Sequence, residues 1–214
     1  MQGETLNAFI RDNLPVAPVS GIAEIRLHKA APDSGLRRLA EADAVGFGSP
    51  YWAYHWAGGL ALARHMLDYP ETVAGKTVLD LGAGGGLVAI AAAKAGARRV
   101  TAAETDPYAV AALRLNAVLN GVAVEVIEDD LTPAAPPETD VILVGDLFYA
   151  PELATKVTAF LDRCAMTGQA AVLVGDPWRA PLPAERLSEI ARYAVAETGK
   201  LTKPCGVFRW ISAA

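Results

Sequence analysis

A glycine-rich segment near the middle of the chain places an acidic residue beside a predicted turn. Residues 78–88 read VLDLGAGGGLV and join an apolar run to an Ala/Leu-rich run, so we expect a strand, a turn and the start of a helix. Glycines allow a ligand to approach the backbone close to the positively polarised helix N-terminus. Asp80, just before Gly82, adds a carboxylate that suits an ammonium group better than a phosphate. The segment therefore predicts a site for a small cationic ligand.

The glycine spacing disfavours a dinucleotide cofactor. Gly82 and Gly84 fit the opening of the dinucleotide fingerprint, but Leu87 stands where that fingerprint needs a third glycine. Glu104 follows at the end of the next predicted strand, about 20 residues after the glycines, where an acid accepts both hydroxyls of a ribose. An ammonium group and a ribose on one ligand indicate S-adenosylmethionine rather than a nicotinamide or flavin cofactor.

A third acid is expected at the end of the third predicted strand, where an adenine amino group would need an acceptor. Asp130 fits this position best, and Asp129 is the alternative. A single carboxylate of this kind is more often a solvated loop acid or a helix cap. Three acids at the carboxyl ends of three successive strands, where ligands bind in such sheets, together favour a cofactor site.

Short β-branched runs alternate with longer Ala/Leu-rich runs from about residue 77 onward, which is typical of strand-helix-strand units in a parallel sheet. Strands are predicted at 77–81, 99–103, 124–127, 141–145 and 170–175. Helices are predicted at 87–95, 107–120, 151–163 and 184–192. Segments 193–198 and 207–211 are expected to close the sheet as an antiparallel pair. The pattern predicts an α/β fold.

The part of the chain before residue 77 has a different pattern. It contains a predicted helix at 5–12, a predicted strand at 22–27, a helical patch at 36–41 and then an aromatic segment. We expect residues 1–76 to form a cap on the substrate side and residues 77–214 to form the cofactor-binding core, within a single compact domain.

Composition and charge narrow the class of protein. The chain has 214 residues, of which 52% are hydrophobic and 20% charged, and its 19 Lys and Arg against 24 Asp and Glu give a net charge of −5. This balance is typical of a folded globular domain. The sequence also lacks the Lys/Arg-rich run of a duplex-binding protein. Nucleic acid is therefore not the expected partner.

The sequence predicts no metal site, membrane segment or export signal. Cys164 and Cys205 lack zinc-site spacing and cannot build a disulfide framework, so we expect reduced thiols in a cytoplasmic protein. The acidic N-terminus lacks the basic start of a signal peptide. Residues 44–63 carry no formal charge, but Ser49, Pro50, His55 and four glycines make a membrane span a poor interpretation.

Three further blocks carry a resemblance to a known family. Residues 145–154 read GDLFYAPELA, residues 50–64 read PYWAYHWAGGLALAR, and residues 174–180 read VGDPWRA. With the glycine-rich turn, they resemble the class I, seven-strand methyltransferases that use S-adenosylmethionine. Within that class the chain is similar to the lysine methyltransferases that modify the β-subunit of electron transfer flavoprotein, from about residue 15 to residue 210. Glu104 departs from the pattern, because most members have Asp there.

The resemblance implies a fold and a role for each matched residue. The fold is a Rossmann-like seven-stranded methyltransferase sheet, mostly parallel with an antiparallel last strand, with helices on both faces and an N-terminal cap. The implied catalytic residues are Asp146 and Tyr149, which would face the incoming lysine. The implied cofactor-binding residues are Trp56, Asp80, Gly82, Ala83, Gly84, Glu104, Asp130 and Gly145.

The implied activity is in-line methyl transfer from S-adenosylmethionine to a deprotonated lysine of the electron transfer flavoprotein β-subunit, with a ribosomal protein as a further substrate. Two alternatives stay open: a methyltransferase for a small amine or another protein, and a catalytically silent cofactor-binding partner protein. The number of subunits is also left open.

Three residues of these blocks need separate interpretations. We assign Asp146 to binding and orienting the amine rather than to accepting its proton, because a carboxylate favours the ammonium form. His55 is interpreted as a packing residue, hydrogen-bonded at its edge, within the aromatic segment. Arg179 lies in a loop and has no assigned role.

Overall fold

The computed structural model describes residues 3–43, 46–197, 199 and 201–211. Within these residues the strands form two sheets. The smaller sheet is an antiparallel hairpin of β1 (Val16–Val19) and β2 (Ile22–His28). The larger sheet has seven strands: β3 (Thr77–Leu81), β4 (Arg99–Ala103), β5 (Glu125–Ile127), β6 (Val141–Gly145), β7 (Ala171–Asp176), β8 (Leu187–Val195) and β9 (Lys203–Trp210).

The order of strands in the larger sheet is β5-β4-β3-β6-β7-β9-β8. The pairs among β3 to β7 are parallel, whereas β9 is antiparallel to both of its neighbours, β7 and β8. The predicted Rossmann-like sheet with an antiparallel last strand is therefore confirmed. The chain order reverses between β3 and β6, and the carboxyl ends of strands at such a point form a crevice in which ligands bind.

Helices cover both faces of this sheet, as predicted. The described helices are α1 (Gly3–Asn13), α2 (Leu36–Ala42), α3 (Ala57–Asp68), α4 (Leu87–Lys94), α5 (Pro107–Leu119) and α6 (Pro151–Met166). Of these, α1 and α2 pack with α5 rather than on the sheet. Because alternate residues of a strand point to opposite faces, Val141 and Leu143 of β6 pack with α3 and α4, while Ile142 and Val144 pack with α6. Among the described helices, none combines the length and hydropathy that crossing a membrane requires.

The predicted helix at 184–192 is wrong. The segment forms a short 3₁₀ turn at Ala184–Arg186 and then enters β8. β8 pairs with β9 from Leu187 opposite Trp210 to Val195 opposite Lys203, so pairing with the next strand of the chain overrides the local helix propensity. The predicted antiparallel pair is present, but its first strand starts earlier than expected. Residue 198, the predicted end of that strand, lies outside the described residues.

The segment before residue 77 contains the predicted elements and one helix that packs on the sheet. The predictions at 5–12, 22–27 and 36–41 correspond to α1, β2 and α2. α3 follows them and shares a hydrophobic core with β3, β6 and β7. The division into residues 1–76 and 77–214 stays a prediction about the organisation of the chain. Of the uncharged stretch 44–63, residues 44 and 45 lie outside the described residues.

Glycines allow α3 to lie directly against the backbone of two strands. A Cβ atom at Gly58 would overlap the carbonyl oxygen of Gly175 in β7, and a Cβ at Gly145 in β6 would lie 3.2 Å from the Cα of Gly59. Side chains at these positions would push the helix away from the sheet. The first turn of α3 is therefore held close to the carboxyl ends of β6 and β7.

Gly58→Ala is expected to destabilise the protein by roughly 1–3 kcal/mol, the usual cost of overpacking a close-packed core. The added methyl group would overlap the backbone carbonyl of Gly175, which has little freedom to shift because β7 is paired with β6 on one side and with β9 on the other. Gly59→Ala is the matched control, because its nearest new contact would be an ordinary one, 3.6 Å from Cγ2 of Val88. Urea denaturation measures both variants, and equal losses of stability would contradict this packing.

Candidate active site

A cavity of about 580 Å³ opens at the carboxyl edge of the sheet. Its size lies within the range of roughly 300–1,000 Å³ that is typical of small-molecule sites. All residues predicted to bind the cofactor or to face the lysine line it, namely Trp56, Asp80, Gly82, Ala83, Gly84, Glu104, Asp130, Gly145, Asp146 and Tyr149. The fold thus brings these residues together around one space, and their individual contacts with a ligand stay predictions.

Glu104 is buried at the end of β4, and protein donors hold both of its carboxylate oxygens. Oε2 accepts a hydrogen bond from the backbone N–H of Gly84 at 2.7 Å. Oε1 accepts from the hydroxyl of Tyr51 at 2.9 Å and from the backbone N–H groups of Thr105 at 2.8 Å and Asp106 at 3.0 Å. Oε2 has one protein donor and retains capacity for another. The carboxylate is therefore fixed in place and able to accept a ligand hydroxyl.

The glycine-rich turn reaches Glu104 through a left-handed backbone conformation. Gly84 has a φ of 52°, which glycine adopts without a steric penalty. In this conformation its N–H group donates to the Glu104 carboxylate. The turn and the acid that the sequence analysis selected separately are thus one hydrogen-bonded unit.

Asp80 is almost completely buried, with 1% of its surface exposed. Its Oδ2 accepts a hydrogen bond at 2.9 Å from the backbone N–H of Ala89, in the first turn of α4. Burial, with a smaller contribution from the negative charge of Glu104, raises the pKa of Asp80 to about 7. A positively charged ligand group beside Asp80 would favour the ionised carboxylate, which fits the predicted ammonium site.

Both candidate acceptors for adenine line the cavity after β5. Oδ1 of Asp130 accepts hydrogen bonds from the backbone N–H of Thr132 at 2.8 Å and from its hydroxyl at 2.7 Å. Oδ1 of Asp129 accepts from the backbone N–H of Asp130 at 2.8 Å. Two donors orient Asp130 and one orients Asp129, so Asp130 is the better fixed of the two.

Asp146 connects three elements at the other end of the cavity. Its Oδ2 accepts a hydrogen bond at 2.6 Å from the backbone N–H of Gly59 in the first turn of α3. Its Oδ1 accepts from Nη1 of Arg179 at 2.6 Å, and its backbone N–H donates to the carbonyl of Gly175 at 3.0 Å. The φ of Asp146 is 61°, a conformation that is strained for a residue with a side chain. These contacts hold the strained residue in place.

Aromatic side chains form an exposed rim around the cavity. Tyr149 is 65% exposed, and Tyr54 and Trp56 are each 43% exposed. The Nε1 atom of Trp56 donates a hydrogen bond to the carbonyl of Tyr51 at 3.0 Å, which fixes the indole. Aromatic faces attract cations, so this rim suits the approach of a long cationic side chain.

The structure revises the interpretation of His55 and shows how the two tryptophans of the aromatic segment lie. His55 is buried as expected, but its Nδ1 has no hydrogen-bond partner within the described part of the chain. Burial, with a contribution from Lys29, lowers the pKa of His55 to about 4, so its ring is uncharged near neutral pH. Trp52 and Trp56 do not share a helical face, because Tyr51–Ala53 is an isolated 3₁₀ turn and Trp56 is extended.

Three residues at the site had no assigned role in the sequence analysis. Tyr51 donates its hydroxyl to Glu104, and burial together with the charge of Glu104 raises the pKa of Tyr51. Gly59 and Arg179 hold Asp146. Arg179 makes one contact that is local in the sequence, because its backbone N–H donates to Asp176 three residues earlier. This contact alone does not indicate a role at the site. The other contacts join distant segments and leave no spacing pattern.

Metal and thiol chemistry find no support at the cavity. Within the ranges that the structure covers, no three His, Cys, Asp or Glu side chains are grouped to hold a metal ion. Cys164 and Cys205 are both buried. Burial raises the pKa of the Cys164 thiol to about 11 and also raises that of Cys205. Both thiols therefore stay protonated.

Comparison with known proteins gives one family model and related sequences. The family model described as ribosomal protein L11 methyltransferase (PrmA) matches residues 62–163. The electron transfer flavoprotein beta subunit lysine methyltransferase of Rattus norvegicus is 34% identical over 198 residues, which cover 90% of this chain and 77% of the relative.

Solved structures share the fold at lower identity. A putative RNA methyltransferase from Pyrococcus horikoshii has a TM-score of 0.57 and 18% identity, and the match covers 82% of this chain and 96% of the other. An RNA methyltransferase from Salinibacter ruber, in complex with S-adenosyl-L-homocysteine, has a TM-score of 0.51 and 24% identity, covering 72% of this chain and 92% of the other. At these identities the likeness concerns the fold.

Asp80→Asn is expected to stabilise the ligand-free protein more at pH 8 than at pH 5. Because burial raises the pKa of Asp80 from its ordinary 3.8 to about 7, its stabilising contribution is complete below about pH 4 and is lost as the pH rises through 7. Asparagine does not titrate, so the advantage of the variant should grow with pH by on the order of 1 kcal/mol or more.

Urea denaturation of the wild type and the variant at pH 5 and pH 8 measures this effect, with the exposed Asp129→Asn as a control. If the stability difference between Asp80→Asn and the wild type is the same at both pH values, the raised pKa of Asp80 is refuted.

Proposed function

The chain belongs to the electron transfer flavoprotein beta subunit lysine methyltransferase family, and we propose that it methylates lysine side chains of that beta subunit. The methyl donor of this methyltransferase is S-adenosylmethionine. The observation that best supports the proposal is the arrangement of one cavity. Asp80 and Glu104 lie on its walls beside the glycine-rich turn, and Asp146 and Tyr149 line the same space.

The cavity residues fit S-adenosylmethionine. This molecule carries an ammonium group, a ribose and an adenine, and the cavity offers a separate acid for each. Asp80, whose ionised form a cation would favour, would hold the ammonium group. Glu104, which retains an acceptor position on Oε2, would accept a ribose hydroxyl there, and Asp130 would accept the adenine amino group.

The chain contributes mainly by placing the reactants. When bound, S-adenosylmethionine supplies a methyl group on a positively charged sulfur, open to in-line displacement. The lysine amine must be held about 3 Å from that methyl group and aligned with it. Asp146, fixed by Gly59 and Arg179, would orient the amine through one N–H group, while Tyr149 would offer its ring face and hydroxyl. No covalent enzyme nucleophile is required.

The incoming lysine must lose its proton before transfer. From a reference pKa near 10.4, the neutral form costs about 4 kcal/mol at pH 7.4. Asp146 is a weak candidate for the base, because a backbone N–H and a guanidinium already stabilise its charge. We assign Asp146 to orientation, with the proton leaving toward solvent through the exposed aromatic rim.

Charge supports a protein partner rather than a nucleic acid. The net charge of −5 opposes binding to phosphates and favours a basic protein surface. The exposed Tyr54, Trp56 and Tyr149 would meet the substrate around its lysine. We also propose a cytoplasmic location, which the two free, buried cysteines support.

A transfer assay tests the proposed function. The protein is incubated with S-adenosylmethionine carrying a labelled methyl group and with purified electron transfer flavoprotein. We expect label on lysines of the beta subunit, located by mass spectrometry. Cofactor binding without label on any lysine of that subunit would refute the proposed substrate.

Further arms of the same assay separate the alternatives. The match to the ribosomal protein L11 methyltransferase family model makes ribosomal protein L11 the second substrate to test. Label on a small amine from a cell extract would identify a small-molecule methyltransferase. Cofactor binding with no labelled product in any arm would favour a silent partner protein.

Glu104→Ala is expected to weaken cofactor binding by roughly 10- to 150-fold, since a hydrogen bond to a charged group contributes about 1.5–3 kcal/mol. Calorimetry with S-adenosylhomocysteine measures the affinity. Glu125→Ala, which removes an exposed carboxylate paired with Arg99, is the matched control and should keep it. Unchanged affinity in Glu104→Ala would contradict the placement of the ribose.

Asp146→Asn is expected to keep cofactor affinity within about threefold and to lose roughly 100-fold in turnover, because misplacing a reactant by about 1 Å has an effect of that size. The measurements are calorimetry for binding and label transfer for turnover. Asp33→Asn, in an exposed loop, controls for the loss of one charge. A variant with full turnover would exclude Asp146 from the reaction.

A further inference from the structure

Arg179 links two acids at the end of the cavity where the amine would bind. Its Nη1 atom lies 2.6 Å from Oδ1 of Asp146 and 3.0 Å from Oδ2 of Asp176. Its backbone N–H donates to Oδ1 of Asp176 at 2.7 Å. The Arg179 side chain is 21% exposed, that of Asp146 is 11% exposed and that of Asp176 is fully buried. The three groups form a largely buried cluster.

The cluster includes strained backbone on both neighbouring strands. Asp146, after β6, has a φ of 61°, and Trp178, after β7, has a φ of 59°. Non-glycine residues hold such conformations only where their surroundings impose them, and these residues concentrate at functional sites. Here the imposed geometry aims Asp146 at Arg179 and brings Arg179 to the wall of the cavity.

The charge of the cluster follows from its members. Burial raises the pKa of Asp176, and its contacts with Arg179 oppose that shift. With both acids ionised, Asp146 and Asp176 contribute two negative charges and Arg179 one positive charge, which leaves one net negative charge at the amine end. An isolated carboxylate close to a lysine favours the ammonium form and raises the lysine pKa by about 1–3 units. An ammonium ion is not a nucleophile. Asp146 alone would favour the ammonium form of the lysine. The positive charge of Arg179 opposes this and so favours the neutral amine that transfer requires.

We propose that Arg179 is a positioning residue that sets the charge at the amine end, so that Asp146 orients a neutral lysine amine instead of holding an ammonium ion. This inference rests on the proposed lysine methylation. Arg179 occupies Oδ1 and Gly59 occupies Oδ2 of Asp146. Each oxygen keeps one lone pair, which is enough to accept one N–H from a neutral amine.

The other ionisable groups near the cluster come from the neighbouring elements. Cys205 of β9 interacts electrostatically with Asp146, Asp176 and Arg179. Burial raises the pKa of its thiol, so the thiol stays neutral. Lys203 of β9 is paired with Glu197 at 2.7 Å. Tyr149 after β6 and Lys156 of α6 line the cavity. Of all these groups, the substrate amine is the one that must lose a proton before transfer, so we expect its titration to set the rise of the rate with pH.

Single-turnover transfer to purified electron transfer flavoprotein, measured from pH 6.5 to pH 9.5 with saturating S-adenosylmethionine, tests this role. The rate should rise with pH as the amine is deprotonated. In Arg179→Gln we expect the midpoint of this rise to shift to higher pH by about one unit or more. Turnover at pH 7.4 should be lower, and the KM for the flavoprotein should be unchanged or smaller. Arg179→Lys keeps the charge and should stay within about half a unit of the wild type.

Asp176→Asn provides the opposite change and an independent check if Arg179→Gln does not fold. It keeps an acceptor for the Arg179 backbone but removes one negative charge, so the rise should move to lower pH. A purely structural role for Arg179 predicts losses of rate that are equal at every pH, and unmoved pH profiles in the folded variants overturn the inference. No transfer by the wild type would instead refute the proposed function, and this inference with it.

Discussion

The contacts of Asp146 are the constraint on which the amine end of the site depends. Its carboxylate joins the first turn of α3 through Gly59 and the turn after β7 through Arg179. Its backbone N–H binds the carbonyl of Gly175. Because Gly58 lets α3 lie against Gly175 without a side chain between them, the helix N-terminus comes within hydrogen-bond distance of the acid. The packing of α3 against β7 thus also fixes the position of the Asp146 carboxylate.

At the end of the cavity where the cofactor would bind, carboxylates that can carry a charge are buried. Asp80 and Glu104 are both buried carboxylates, and burying a carboxylate without a positive partner costs free energy. Glu104 offsets this cost with four protein donors, whereas Asp80 has Ala89 as its donor. The raised pKa of Asp80 is the remaining cost, and a cationic ligand would relieve it. The ligand-free protein is therefore less stable because of Asp80, the carboxylate that a positively charged ligand group would pair with.

Much of this arrangement could be predicted from the sequence, for a geometric reason. Carboxyl ends of parallel strands meet at one edge of a sheet, so acids that follow successive strands must be neighbours. Asp80, Glu104 and Asp130 are selected by this rule, and all three line one cavity. Asp146, which the family resemblance selects, lines the same cavity. The glycine-rich turn carried its own local signal, since left-handed backbone such as that of Gly84 favours glycine.

The features that escaped prediction depend on contacts between distant segments. Residues 187–192 of β8 are predicted as helix because their pairing with residues 206–210 of β9 leaves no trace in local periodicity. Tyr51 reaches Glu104, and Gly59 reaches Asp146, across long stretches of sequence. Arg179 lies close to Asp176 along the chain, but its contact with Asp146 requires β6 and β7 to be neighbours. Such residues become visible only once the sheet order is known.

The central claim is that one cavity binds the nucleoside at Glu104 and the reacting centre beside Asp146. A crystal structure of the protein with S-adenosylhomocysteine tests it most directly. We predict ribose hydroxyls within hydrogen-bond distance of the Glu104 carboxylate, the amino group of the ligand at Asp80, and its sulfur facing the space between Asp146 and Tyr149. A nucleoside bound away from Glu104, or a sulfur atom shielded from Asp146, would contradict the account.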